Sequence, residues 1–414
     1  MKKILVIHLL AAALLLAVGC EKLGRGDNLG KEDIQPMVPI ELTKGDWAVR
    51  DASNDFGLRT FKQLYPDDKS GDVSFSPLSL SLALAMAADG AEGETYKQFA
   101  DVIGWGDASH ETVGGYYKTM VEGLVKVDAN VQFSSSNSLW AAKDLALKEP
   151  FTSRLKTYFA AEHYQVDFTA AETLDKINKW CSDKTDGKIP QILQGLDPRT
   201  RMMLINALLY KAPWGMSWEI KKSRTFTAAG GTKTDKDYLY AKDQTLRYGD
   251  YGDFEIVRLP YGNGAYTMDI ILPKEGKSLA GVIASLDPED IAYPVGAAEV
   301  TIYLPKWSTY YSTGGKLIPA LKAQGLTLPF DEERADFSGI SAEPLYVSMI
   351  KQDVQIDVSE KGTEFAAVTV VSMATNALKP VTPPKATVDV NRPFAYAIRE
   401  NTSDTILLLG TLTK

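Results

Sequence analysis

A run of small and β-branched residues that ends in prolines constrains this chain more than any other feature. Glu360-Lys361-Gly362-Thr363-Glu364-Phe365-Ala366-Ala367-Val368-Thr369-Val370-Val371 joins a turn residue, Gly362, to a stretch suited to extended backbone. Lys379, Pro380, Pro383 and Pro384 follow. Prolines cannot donate a ladder hydrogen bond, so the second part cannot continue a central strand. The combination implies a segment near the C-terminus that can either pair with a sheet or stay out of it.

The chain ends carry a second set of signals. Lys2 and Lys3 precede an almost wholly apolar run from Ile4 to Val18, shorter than the ~20 residues that span a bilayer. Residues 1–19 read as a signal peptide. Leu16-Ala17-Val18-Gly19-Cys20 resembles a bacterial lipobox, with Ala17 where Leu is more usual, and this makes Cys20 the expected lipidated N-terminus. Residues 20–46, with Gly24, Gly26, Gly30, Pro36 and Pro39, read as a tether from lipid to fold. The expected location is therefore the cell envelope, outer membrane included, facing the periplasm or the outside. Cys181 is the one other cysteine, so no internal disulfide is expected, and Trp180 and Ile177 beside it suggest a packed thiol on a helix.

Residues 47–414 show no low-complexity break and no fixed repeat, which indicates one globular unit. Helices are expected from the Ser76-Pro77 cap onward, over 112–127, over 149–161 and over 173–185 with Gly187 as its C-cap. Met202 to Tyr210 is apolar on both faces, as a central covered strand is. Further strands are expected over 256–260, 266–272, 300–304, 345–358 and 406–412, with Gly262-Asn263-Gly264 as a hairpin turn. Helices concentrated early and strands late indicate an α+β fold. Asn206 is the odd residue in the apolar strand; it is either a hydrogen-bonded anchor or a latch where strands separate.

Chemistry-bearing motifs do not emerge. The chain has 3 histidines and lacks HExxH, paired CxxC, P-loop and G-x-S-x-G patterns, so no enzyme, metal or cofactor is expected. A net charge of −8 argues against nucleic acid as a partner.

Blocks spread along the chain resemble the serpins, a family of suicide protease inhibitors. They include Val73-Ser74-Phe75-Ser76-Pro77-Leu78-Ser79-Leu80, Gly90-Ala91-Glu92-Gly93-Glu94-Thr95, Ile177-Asn178-Lys179-Trp180, Leu204-Ile205-Asn206-Ala207 through Trp214, Leu259-Pro260-Tyr261, Leu304-Pro305-Lys306 and Asn391-Arg392-Pro393-Phe394. The resemblance implies three β-sheets with eight or nine helices, a metastable intact form and an exposed C-terminal reactive loop. It implies a hinge at Glu360, Gly362, Thr363, Glu364, Phe365, Ala366, Ala367 and Val368, and a shutter and breach at Ser76, Ser79, Asn206, Trp214 and Gln352. Gln352 stands where many members carry a histidine that bonds the central asparagine, and Phe365 stands where inhibitory members usually carry Ala. Hinge spacing puts the scissile bond at Asn376-Ala377, with Met373, Thr375, Leu378 and Lys379 as alternatives; counting back from Asn391 reaches Thr382. The implied partners are elastase-like, subtilisin-like or trypsin-like serine proteases, with cysteine proteases as a further class, met by a monomer. A serpin-fold binding protein cleaved as a simple substrate is the alternative.

Overall fold

The computed structural model describes residues 36–65, 71–292, 296–363 and 383–414. The signal peptide, Cys20 and most of the expected tether lie outside these residues.

Helix α1 (Lys44–Leu64) opens with a reciprocal cap: the Thr43 hydroxyl accepts from Asp46 N, and the Asp46 carboxylate accepts from Thr43 N. Ser76 caps α2 (Pro77–Ala88), with Pro77 in its first turn, as the sequence implies. Every residue of α2 except Ala83 is buried, because the helix packs against both faces of its surroundings. Then come α3 (Gly93–Ile103), α4 (His110–Leu124), α5 (Glu149–Phe159), α6 (Ala171–Lys184), α7 (Leu279–Ser285), α8 (Pro288–Ala292) and α9 (Leu317–Ala323). Gly187, at φ 77°, closes the end of α6 by donating to Ser182 O.

The strands are β1 (Ser74–Phe75), β2 (Gln132–Ala142), β3 (Glu162–Val166), β4 (Met202–Lys211), β5 (Glu219–Thr227), β6 (Lys233–Asp250), β7 (Phe254–Tyr261), β8 (Tyr266–Pro273), β9 (Ala297–Pro305), β10 (Trp307–Ser312), β11 (Asp353–Ser359), β12 (Gly362–Thr363), β13 (Lys385–Asp389), β14 (Phe394–Glu400) and β15 (Thr405–Leu412). They form a nine-stranded sheet in the order β1-β15-β14-β8-β7-β6-β9-β13, with β5 on β6, and two three-stranded sheets, β3-β2-β4 and β10-β11-β12. The two small sheets bring β4 and β11 to the same cavity with no ladder between them. Helix α2 packs on both β4 and β15, so it underlies this region and joins it to the large sheet. No helix among the described residues is long and apolar enough to cross a membrane.

One expected strand is shorter than its sequence suggests. The stretch 345–358 forms a ladder only from Asp353. Its neighbour β10 ends at Ser312, which pairs with Asp353. Residues 345–352 therefore have no ladder partner, although their apolar, β-prone composition is that of a strand.

Candidate functional site

The site is the space between β4 and β11. At its upper end β11 turns through Glu360 and Lys361 and returns as β12, pairing Val358 with Thr363 and Ser359 with Gly362. On the other side Thr363 N donates to Ala212 O at 2.9 Å, and Ala212 N donates to Thr363 O at 2.8 Å. Gly362 has φ 125°, and a Cβ there would lie 2.1 Å from Ala212 O, so no side chain fits. Thr363 is 5% exposed and points inward, its hydroxyl 2.6 Å from that of Tyr261. Tyr261 stacks on Trp214 at 4.4 Å, and Trp214 Nε1 donates to Ser359 O at 2.8 Å. Lys306 pairs with Glu360 at 2.7 Å and holds that carboxyl below its ordinary range. Glu360, Gly362 and Thr363, the expected hinge residues that the structure describes, are thus held to both banks by backbone, ring and ion contacts.

Midway down, polar groups meet over the start of α2. The Ser76 hydroxyl accepts from Ser79 N at 3.1 Å. Ser79 Oγ donates to Asn206 Oδ1, and Asn206 Nδ2 donates to Ser135 Oγ at 2.9 Å and to Asn137 Oδ1 at 2.8 Å. Asn206 therefore anchors β4 to both β2 and α2. The resemblance implies that Gln352 bonds Asn206, and the geometry differs. Gln352 Oε1 accepts from Ser76 N at 2.6 Å, and its Nε2 donates to Ser76 O at 3.1 Å. Asn206 is already satisfied by Ser135 and Asn137 on β2 and by Ser79 on α2. The Gln352 amide matches one backbone donor and acceptor instead. The two banks meet at Ser76 and Ser79 rather than directly.

Two cavities continue the slot. An upper one of about 80 Å³ is lined by Ser76, Ser79, Leu408, Cys181, Ile189 and Ile192, among others. A lower one of about 440 Å³ lies between Leu84 of α2, Met202 and Leu204 of β4, and Leu345, Val347 and Met349 of the unpaired stretch. The open edge of β4 borders both; β11 borders the upper one, and the stretch 344–352 before it borders the lower one. The arrangement has the shape of a sheet with one strand place unfilled.

Glu364, Phe365, Ala366, Ala367 and Val368 lie outside the described residues, as do Met373, Thr375, Asn376, Ala377, Leu378, Lys379 and Thr382. Among the functional positions that were assigned no role from sequence are Tyr261, Ala212, Lys306, Ser135 and Asn137. Tyr261 and Lys306 sit inside recognised blocks, but Tyr261's partner is 102 positions away and Lys306's is in the turn between β11 and β12. Asn137 lies in a serine-rich stretch, where an amide does not stand out as Asn206 does in its apolar strand.

Residues 51–414 match the family described as Serpin (serine protease inhibitor). Iripin-2 of the tick Ixodes ricinus is 32% identical over 377 residues, covering 88% of this chain and 92% of that protein. The native-state structure of the thermophilic serpin Tengpin superposes with a TM-score of 0.77 at 28% identity, covering 92% of this chain and 97% of that one. Human thyroxine-binding globulin, solved in complex with its hormone, gives a TM-score of 0.78 at 22% identity over 89% of this chain and 99% of its own, a likeness of fold alone.

Proposed function

This chain belongs to the serpin family, and on that premise we propose that it is an irreversible suicide-substrate inhibitor of serine endopeptidases, cysteine endopeptidases being a further class. Thr363 carries the reading. It is held at the top of a slot that continues below it as two cavities. If the registers of Thr363 with Val358 and Ala212 continue without a bulge, Phe365 would come to lie between Tyr210 and Ile356 in the cleaved form, and Thr369 between Asn206 and Gln352. A phenyl ring suits the first position, because Tyr210 already packs edge-on against Tyr261 and Tyr266. A hydroxyl suits the second, between two amides.

In this mechanism the target's own serine attacks the carbonyl of Asn376, the amine of Ala377 leaves, and an ester links Asn376 to the protease. The freed segment then enters the slot as a strand and carries the protease with it, so that its distorted site cannot hydrolyse the ester. The lipobox-like Cys20 supports a second part of the proposal, anchoring of the inhibitor to a bacterial envelope by lipid; radiolabelled fatty acid incorporated into the wild type and absent from Cys20→Ala tests it.

Mixing the chain with elastase-like, subtilisin-like and trypsin-like proteases tests the main proposal. A band at the summed mass on denaturing gels is expected, and the mass of the released C-terminal peptide identifies the scissile bond. Cleavage across the panel without that band would favour the non-inhibitory alternative. Thr369→Arg should abolish the complex while leaving cleavage intact. A guanidinium between Asn206 and Gln352 could not be buried on insertion without a cost of several kcal/mol, on the order of 2–7 for even an uncharged polar group.

A further inference from the structure

The chain enters the fold beside the hinge. Residues 36–43 are bonded to the body before α1 begins. Val38 N donates to Val127 O at 3.3 Å, just past the end of α4. Ile40 is buried and lies across Gly123, where a Cβ would sit 2.9 Å from its side chain. Ile40 N donates to Thr402 Oγ1 at 2.9 Å, and Thr43 then caps α1. Val127 O also accepts from Asn263 Nδ2 at 3.1 Å, and the neighbouring Asp128 carboxylate accepts from Asn263 N at 2.7 Å. Asn263 belongs to the turn after β7. Two residues before it, the Tyr261 hydroxyl meets that of Thr363 at 2.6 Å, and Gly262 N donates to Pro213 O beside the Ala212–Thr363 bridge. One carbonyl, one turn and one tyrosine ring thus separate Val38 from Thr363, a distance on the order of 20 Å. The far end of the slot, at Met202 and Leu345, lies about 30 Å beyond, the length of β4.

From this geometry we infer that the anchored inhibitor holds its hinge at the end that faces the membrane, and that its partner is an endopeptidase held at the surface of the same membrane. The inference rests on the proposed lipid at Cys20 and, for its partner, on the proposed inhibition. The 15 residues from Glu21 to Gln35 span at most about 50 Å in any arrangement. Thr363 then stays within about 70 Å of the bilayer, whereas the end at Met202 can stand a further ~30 Å out. Entry of the chain at the far end would reverse this and offer the hinge to bulk solution. The contacts of Val38 and Ile40 matter here, because they fix the point from which the fold hangs. Confining both molecules to one surface raises their effective concentration without any new contact between them.

Resonance energy transfer to labelled lipid reads the orientation without any protease. The lipidated full chain is placed in phosphatidylethanolamine–phosphatidylglycerol vesicles that carry an acceptor lipid. A donor dye is attached through Lys361→Cys, in the turn before Gly362, or through Arg199→Cys at the far end. Both positions are exposed, whereas the native Cys181 thiol is buried, and burial pushes its pKa up to about 12, so it stays unlabelled. Transfer from position 361 should exceed that from position 199 about two-fold, given the ~30 Å between the ends. Equal transfer, or more from 199, would overturn the inference and leave the anchoring reading intact. Equal vesicle binding by wild type and Cys20→Ala would overturn both. The partner is tested with a subtilisin-like protease bearing a histidine tag, either held on nickel-chelating lipid in the same vesicles or free at the same total concentration. The complex on denaturing gels should form at least about tenfold faster with the held enzyme. A helical spacer of about 30 residues inserted after Asp33, up to ~45 Å long, should cut that gain several-fold by lifting the hinge away. Equal rates for held and free enzyme would overturn the membrane-held partner. Absence of complex under both conditions would defeat the inhibitor reading and that partner with it, while energy transfer would still decide which end faces the lipid.

Discussion

The large sheet and the divided one use the same kinds of residue, but only the large one is closed around β8 and β14. Within the large sheet, β8, β14 and β15 are buried at every position. Even the buried charge is matched: Asp269, wholly buried, receives Arg258 through two bonds of 2.7 and 2.9 Å. Across the slot, β4 and β11 present backbone edges and apolar side chains to cavities, with Asn206, Gln352 and Asp353 among the polar groups at the opening. The difference teaches where free energy is held in reserve. A closed sheet has already gained its pairing and burial, whereas an open strand place keeps both in prospect.

The largest expected effect tests that reserve directly. Cleavage in the segment after Thr363 should raise the melting temperature. Burying the inward side chains of Phe365, Ala367, Thr369 and Val371 contributes on the order of 5 kcal/mol. Calorimetry of intact and cleaved chains checks it, and identical melting curves would remove the distinction between the two sheets.

Next in size is a lesion in the closed sheet. Asp269→Ala leaves the Arg258 guanidinium buried without its carboxylate and should cost about 3–5 kcal/mol. Denaturant unfolding would show it, and the loss should be equal in intact and cleaved protein, because this sheet does not change on insertion.

A third prediction concerns the helix beneath the slot. Asp89 ends α2 and receives both the Nε of Arg154 and, through its carbonyl, the Nη2. Burial outweighs Arg154 and raises the Asp89 carboxyl from 3.8 to about 6. A folded value above the unfolded one means that the folded state binds the proton more tightly. This contribution to stability is fully present below the unfolded value and is lost as pH rises through the folded one. Between about pH 7 and pH 5 the chain should gain on the order of 1 kcal/mol, and Asp89→Asn should flatten that part of the profile. A slope unchanged by the substitution would assign it elsewhere.

An effect of similar size belongs to the slot itself. Gln352→Ala removes two bonds to Ser76 and should cost about 1–2 kcal/mol in the intact form. If Thr369 docks there after cleavage, the cost should differ between intact and cleaved chains, unlike that of Asp269→Ala. Thermal melts of both forms make the comparison.

Much of this arrangement was legible in the residues. The Ser76-Pro77 start of α2 and the glycine turn between β7 and β8 are local signals, and the structure has them where expected. Met202–Tyr210 is a strand as expected, but it lies at the edge of its three-stranded sheet and only Ile205, Ala207 and Leu209 are buried, because the place beside it is open. Strand β2 was harder to read. Its Ser134-Ser135-Ser136 centre has no apolar alternation, and its strand state comes from antiparallel pairing with β4 along ten residues. The stretch 345–352 misled in the opposite direction, with strand composition and no ladder partner. Gln352 was recognised as a slot residue, but its partner at Ser76 was not.

By itself the sequence determined which segments could be helix or strand and marked Gly362 as a turn residue ahead of a run suited to extended backbone. It did so because caps, periodicity and turn residues act over a few positions. Only the tertiary structure decided that β4 and β11 stand apart, that Thr363 already rests against Tyr261, and that Gln352 bonds Ser76 rather than Asn206. Those contacts join residues as far apart as Ser76 and Gln352. Their partners are chosen by how the whole chain closes, which no local pattern encodes.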